Sequence, residues 1–182
     1  MERRTAAARV ACLVGVVLSW AVAAGQGGPP AGTAPSWDRW AFVLGDWEGD
    51  GSGSPGQGSG RFSFAFDLER RILVRRNHNE FPASQGRPAS VHDDLLIVYP
   101  EGDRFRAVYF DNEDHVIHYT VEPSTEQNVL TLVSDRTPGA PRFRLAYRAA
   151  AGGALGIRFE IAQPDRPDAF APYLEGTAHR VK

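Results

Sequence analysis

Residues 61–67, Arg-Phe-Ser-Phe-Ala-Phe-Asp, alternate large apolar side chains with small or charged ones, and this period of two decides the fold. A β-strand sends successive side chains to opposite faces, so Phe62, Phe64 and Phe66 share one face of a sheet. The same alternation recurs in two later segments, residues 142–148 and 155–161. Each segment therefore predicts a strand with one apolar face and one polar face.

Ten segments of this kind follow one another along the chain. The predicted strands are 47–51, 60–68, 71–80, 91–99, 103–111, 116–122, 128–134, 142–148, 154–162 and 173–181. The turn clusters between them, such as Pro100-Glu101-Gly102-Asp103, are too short for crossovers, so neighbouring strands must be antiparallel. A meander with one wet face either packs as two sheets or closes, and closure leaves no exposed edge. We therefore predict an all-β fold, an antiparallel up-and-down barrel of about ten strands.

A short helix is predicted before the first strand. Ser36 is a suitable N-cap, and apolar residues recur at helical spacing through residues 37–44 until Gly45 ends the pattern. We expect this helix to cap one end of the barrel.

The composition limits the class of protein. A chain of 182 residues with a net charge of −2 is long enough for one domain and has no cationic footprint for nucleic acid. Cys12 is the single cysteine and Lys182 the single lysine. These counts exclude a disulfide framework, a cysteine zinc site and a Schiff-base lysine inside the barrel.

The N-terminus has the features of a secretory signal. Arg3, Arg4 and Arg9 precede a short apolar run, and small residues follow at 21–24. The run is shorter than the ~20 residues of a spanning helix, so we expect no membrane span after cleavage. Residues 1–24 are predicted to be a signal peptide, 25–35 a flexible leader and 36–182 one β-barrel domain. The product would be exported, to the periplasm or the extracellular space.

The motifs that carry chemistry are weak in this chain. Residues 51–56 fit G-x-G-x-x-G, but a strand follows them instead of a helix, so they predict a hairpin tip. His115 and His118 would point to opposite faces of a strand, and the face shared by His92 and Asp94 has no third ligand nearby in sequence. We therefore predict no metal site, no catalytic residues and no cofactor.

Several polar groups are expected inside the barrel among aromatic side chains. Alternation turns three tyrosines inward, and strand 71–80 brings in an arginine whichever face is internal, either with Arg75 and Asn77 or with Arg76 and His78. The predicted ligand-binding residues of the lumen are Tyr109, Tyr119, Tyr147, Tyr173, Arg76, His78, Phe64, Phe143 and Phe159.

Residues 44–51, Leu-Gly-Asp-Trp-Glu-Gly-Asp-Gly, resemble the L-G-x-W-x-G-x-G entry of the nitrobindin-like heme-binding β-barrels. More loosely they resemble the G-x-W start of the calycin group, which includes lipocalins and fatty-acid-binding proteins. The resemblance implies that Trp47 plugs the barrel floor and that Gly49 and Gly51 let the strand bend. Nitrobindin-like chains end with H-L-x-A-x-L, whose histidine ligates heme iron. The corresponding residues 173–178 have Tyr173 in its place.

These observations favour an exported, monomeric, lipocalin-like barrel that binds a small, partly apolar molecule without catalysis. Three alternatives stay open. One is a heme-binding or nitric-oxide handling barrel with a non-histidine axial ligand. Another is a hydrolase or isomerase that uses a lumen histidine, His78 or His92. The last is a structural barrel whose aromatic side chains fill the interior.

Overall fold

The computed structural model describes residues 35–84 and 86–181. The predicted signal peptide and residues 25–34 of the predicted leader lie outside the described residues, and both stay predictions. In the described part of the chain, no helix is long and apolar enough to cross a membrane.

Ten antiparallel strands close into one barrel. They are β1 Gly45–Gly53, β2 Gly58–Asp67, β3 Ile72–Phe81, β4 Ser90–Glu101, β5 Arg104–Asp111, β6 Val116–Val121, β7 Val129–Ser134, β8 Arg142–Ala149, β9 Leu155–Ala162 and β10 Ala171–Arg180. Each strand pairs with its neighbours along the chain, and β1 pairs with β10 to complete the ring. The predicted all-β up-and-down barrel is confirmed, and each predicted strand overlaps an observed one.

The predicted helix over 37–44 is wrong in length and type, because only a 3-10 helix over Trp37–Trp40 forms. The Ser36 hydroxyl accepts a hydrogen bond from the Asp38 N–H, as expected of the cap. The Val43 carbonyl accepts instead from the indole N–H of Trp47, at 2.8 Å. So short a segment does not offset the cost of helix nucleation, and the packing of its tryptophans determines where it lies.

Aromatic side chains close the end of the barrel beneath this 3-10 helix. Trp37 and Trp40 both pack on Phe105, with ring centroids 4.3 and 5.5 Å apart. Trp47 is buried and stacks on Phe62. Trp47 therefore fills the floor of the barrel, and any internal space lies toward the opposite end.

The ring closes where β1 and β10 approach each other closely at Gly49. A Cβ atom at this position would lie 2.1 Å from the carbonyl oxygen of Thr177 on β10. Contacts that short do not occur, so the seam requires glycine there for proximity as well as for bending.

Candidate functional site

A cavity of about 450 Å³ occupies the barrel between the aromatic floor and the open end. This volume lies within the range of small-molecule sites. Its wall has three sectors that differ in chemistry: glycines on β1, β2 and β10, apolar side chains on β8 and β9, and polar side chains on β3, β4 and β5.

The glycine sector makes the space. Gly49 pairs with Gly60, and Gly51 pairs with both Gly58 and Gly176. All five line the cavity. Because these positions place no side chains in the lumen, the barrel is not filled from this side, and the interior is not the completely packed core of a purely structural barrel.

The apolar sector is a continuous hydrophobic surface on β8 and β9. Phe143 and Phe159 stack with their ring centroids 5.8 Å apart, and Tyr173 meets Phe159 edge-on at 5.9 Å. The cavity is also lined there by Leu145, Ile157 and Ile161. This surface suits the hydrocarbon part of a guest.

The polar sector is built around a buried ion pair. Arg75 of β3 donates through Nη2 to Asp94 Oδ2 of β4 at 2.9 Å, and their side chains are 9% and 3% exposed. Arg75 also donates through Nη1 to the Tyr147 hydroxyl at 2.8 Å, and Asn77 donates to Asp94 Oδ2 at 2.8 Å. Burial acts to lower the pKa of Arg75, but Asp94 and Tyr147 raise it on balance, so the guanidinium stays charged.

One polar atom on each side of this ion pair has no hydrogen-bond partner. Asp94 Oδ1 and Arg75 Nε are both buried and have no partner, although both residues line the cavity. A buried carboxylate oxygen without a donor carries a desolvation cost, about 1–3 kcal/mol or more for a charged group. The geometry therefore offers a strong acceptor to a molecule in the lumen.

His92 extends the polar sector toward the open end. Its Nε2 lies 2.8 Å from the Tyr109 hydroxyl and 3.5 Å from Asp94 Oδ2, and its Nδ1 lies 3.3 Å from Glu113 Oε1. The interaction with Asp94 raises the pKa of His92 despite its partial burial. Both ring nitrogens are occupied by protein groups.

Three phenols border the same space and stay neutral. Burial raises the pKa of Tyr147 to about 12. Burial also raises the pKa of Tyr109 and of Tyr119 above their ordinary values. Each phenol is therefore a neutral donor or acceptor for a guest.

Most of the residues predicted for the lumen lie on the cavity wall. These are Tyr109, Tyr119, Tyr147, Tyr173, Phe143 and Phe159. Phe64 faces inward but packs edge-on against Tyr147 without lining the cavity. The lumen placement of Arg76 and His78 is wrong: both are exposed, and the alternative pair, Arg75 and Asn77, faces in.

Asp94 and His92 both line the cavity, but neither was predicted as a lumen residue, although alternation places them on the same face of a strand. The glycine sector was not predicted either. The signal was available, because Gly49 and Gly51, then Gly58 and Gly60, recur with a period of two on segments that alternation assigns to strands.

The side chains present do not match a heme site of the resembled family. On β10 the position of the ligand histidine is Tyr173, at the open end. A phenolate ligand needs a basic neighbour to stay deprotonated. Within residues 35–84 and 86–181, no basic side chain hydrogen-bonds to the Tyr173 hydroxyl, and we assign no function through heme.

Comparison with known proteins supports the architecture. No protein-family model and no curated protein matches this chain. Among solved structures, the crystal structure of Rv2717c from M. tuberculosis aligns over 85% of this chain and 99% of that chain, with a TM-score of 0.56 and 16% sequence identity. At this identity the similarity shows the fold. The similarity and the closed ten-stranded ring both identify the fold as an antiparallel β-barrel.

Proposed function

We propose that this protein is an exported barrel that binds one small amphipathic molecule in its lumen without transforming it. The observation that carries the proposal is the buried, unpartnered Asp94 Oδ1 facing a cavity whose other side is apolar. The polar end of the guest would donate a hydrogen bond to this oxygen. Its hydrocarbon part would pack on the β8–β9 wall.

The charge balance selects the head group. Arg75 is already neutralised by Asp94, so it is a poor anchor for a free anion. The unused acceptor is anionic, and Asp111 and Glu113 also line the cavity. A neutral or cationic donor, such as an alcohol, amide or amine, therefore fits better than a carboxylate.

Binding without catalysis is favoured by the contacts of the His92 ring. In the described part of the chain, the histidines that line the cavity are His92 and His115. Both ring nitrogens of His92, the half-buried histidine of the lumen, contact protein groups. His115 is exposed, and its contact with Asp111 Oδ2 at 2.9 Å involves Nδ1 alone. A general base needs a free nitrogen within reach of its substrate.

Titration calorimetry with four eight- or six-carbon probes tests the proposal. We expect 1-octanol and octylamine to bind and octanoate to bind at least tenfold more weakly. Each buried methylene contributes about 0.8 kcal/mol, so 1-hexanol should bind about fifteenfold more weakly than 1-octanol. Equal affinity for octanol and octanoate would contradict the assigned head group. No saturable binding by any of the four probes would contradict the function.

A pair of tryptophan variants locates the guest. Ile117 lines the cavity on β6, whereas the adjacent His118 is exposed on the outer face. Ile117→Trp should fill the lumen and abolish octanol binding, because the added indole occupies the space of the guest. His118→Trp adds the same group outside the barrel and should leave the affinity unchanged. Equal loss in both variants would place the probe elsewhere.

Export is tested separately. The N-terminal residue of the protein recovered from outside the cytoplasm should follow Ala23 or Ala24. Retention of the intact N-terminus in the cytoplasm would contradict export and leave the assignment of the lumen untouched.

A further inference from the structure

A cluster of metal-binding side chains lies at the mouth of the barrel, beyond the polar sector. His92 lies near the start of β4, Asp111 ends β5, and Glu113 follows in the hairpin to β6. One ligand atom from each lies within 4.8 Å of the other two. These residues are 19–21 positions apart or on a turn, so the sequence did not indicate a common site. Antiparallel pairing of β4 with β5 brings them together.

Asp111 is fixed in place by its surroundings. Its side chain is only 3% exposed. Oδ1 accepts from the backbone N–H groups of Glu113 and His115 at 3.0 and 2.9 Å, and Oδ2 lies 2.9 Å from the His115 ring. These hydrogen bonds hold the Asp111 carboxylate in one orientation at the mouth of the barrel.

His92 is oriented as a metal-binding histidine usually is. One ring nitrogen, Nε2, is held by the Tyr109 hydroxyl, which leaves Nδ1 facing Glu113 Oε1 at 3.3 Å. Metal-ligating histidines commonly use the second nitrogen in such an outer contact. Bonds of 2.0–2.2 Å to one tetrahedral ion separate two ligand atoms by about 3.4 Å, which the spacing of these two groups already matches.

The mouth also carries excess negative charge. Asp94 pairs with Asp111 across β4 and β5, and its buried Oδ1 has no partner. Three carboxylates thus line this part of the cavity. Arg75 forms an ion pair with Asp94, whereas Asp111 and Glu113 contact the His115 and His92 rings and have no arginine or lysine partner among the described residues. A bound cation would offset the remainder.

We propose that His92, Asp111 and Glu113 bind one divalent first-row transition metal ion of the zinc class at the mouth of the barrel. One imidazole nitrogen with two carboxylate oxygens suits such ions, whereas calcium takes six to eight oxygens and magnesium keeps mostly water. Three protein ligands leave a further coordination position, as zinc sites with an open position do. The site goes beyond the proposed binding of an amphipathic molecule and does not depend on it.

The outer face provides a matched comparison. His78 also has two carboxylates nearby, Asp93 Oδ1 at 2.6 Å from Nδ1 and Glu80 Oε1 at 3.2 Å from Nε2. These carboxylates contact opposite ring nitrogens, so the three groups cannot converge on one ion. His78→Gln is therefore the control for His92→Gln, because it makes the same substitution at a position where no metal site is expected.

The test uses protein without a polyhistidine tag, stripped with EDTA and free of any amphipathic probe. Zinc chloride is titrated by calorimetry, and cobalt(II) binding is followed by visible absorption. We expect one saturable site, unchanged in His78→Gln and weakened at least tenfold in His92→Gln and Glu113→Gln. Glu113 is in a turn with its side chain 58% exposed, so its variant should fold, and circular dichroism checks this.

Three results would overturn the proposal: no saturable binding at one ion per chain, wild-type affinity in Glu113→Gln, or equal weakening in His78→Gln and His92→Gln. Octanol titrations in EDTA are scored separately. Loss of one activity with retention of the other shows which proposal has failed.

Discussion

Replacing Arg75 by methionine should destabilise the barrel by about 3 kcal/mol. Methionine keeps the apolar stem but removes the guanidinium from Asp94, which is buried. Breaking a buried pair costs about 3–5 kcal/mol, because it leaves an uncompensated charge. The low end of this range applies, since Asn77 still donates to Asp94. Urea unfolding followed by tryptophan fluorescence measures the change.

The double variant Arg75→Met/Asp94→Leu should cost about 2 kcal/mol, less than Arg75→Met alone although it changes two residues. It buries no charge, and its remaining cost is about 1 kcal/mol each for the Tyr147 and Asn77 groups that lose a partner. The coupling energy between the two sites should therefore exceed about 2 kcal/mol. As a control, Arg148→Met removes an exposed pair with Glu126 and should cost less than about 1 kcal/mol. Additive effects of Arg75→Met and Asp94→Leu would refute the reasoning.

Two further changes test the seam and the outer face. Gly49→Ala should destabilise the barrel by about 1–3 kcal/mol in urea unfolding, because the added Cβ meets the Thr177 carbonyl. Gly51→Ala should cost less, because the nearest atom to its Cβ is 3.1 Å away. Equal costs would contradict the close approach at Gly49. The hydrogen bond from Arg144 lowers the pKa of Glu160 in the folded protein. This hydrogen bond therefore stabilises the fold above the unfolded-state pKa of about 4.3, and the stabilisation is lost as pH falls through the lower folded-state pKa. The cost of Glu160→Gln should shrink from pH 7 to pH 3, and a constant cost would argue against the linkage.

The barrel was predictable because its signals are local. Strands such as β2 and β8 alternate apolar and polar residues, and short turn clusters separate them, so strand count and antiparallel order follow from the sequence. The N-terminal helix was overextended because helical spacing over 37–44 says nothing about the Trp47 indole, which takes the Val43 carbonyl.

The polar sector was not predictable, because β3 and β4 have apolar residues on both faces. Leu73 and Val74 are adjacent, so alternation does not select the inward face of β3. The strand register selects this face, since Arg75 pairs with the inward-facing Phe64. That register depends on the turn from β2, where residues 68–70 all have positive φ values without being glycine. Nothing in their residue types indicates such a turn.

The buried ion pair is better explained by ligand orientation than by stability. Apolar replacements of such pairs are often neutral or stabilising, so Arg75 and Asp94 are not needed to hold ten strands together. Their positions matter for orientation. The free Asp94 Oδ1 on β4 lies across the lumen from the stacked Phe143 and Phe159 on β8 and β9, which gives an amphipathic guest one favourable orientation. The double variant separates the two roles: it should stay folded, at a cost of about 2 kcal/mol, and still lose the preference for octanol over octanoate. A double variant that keeps this preference would show that the pair serves the fold alone.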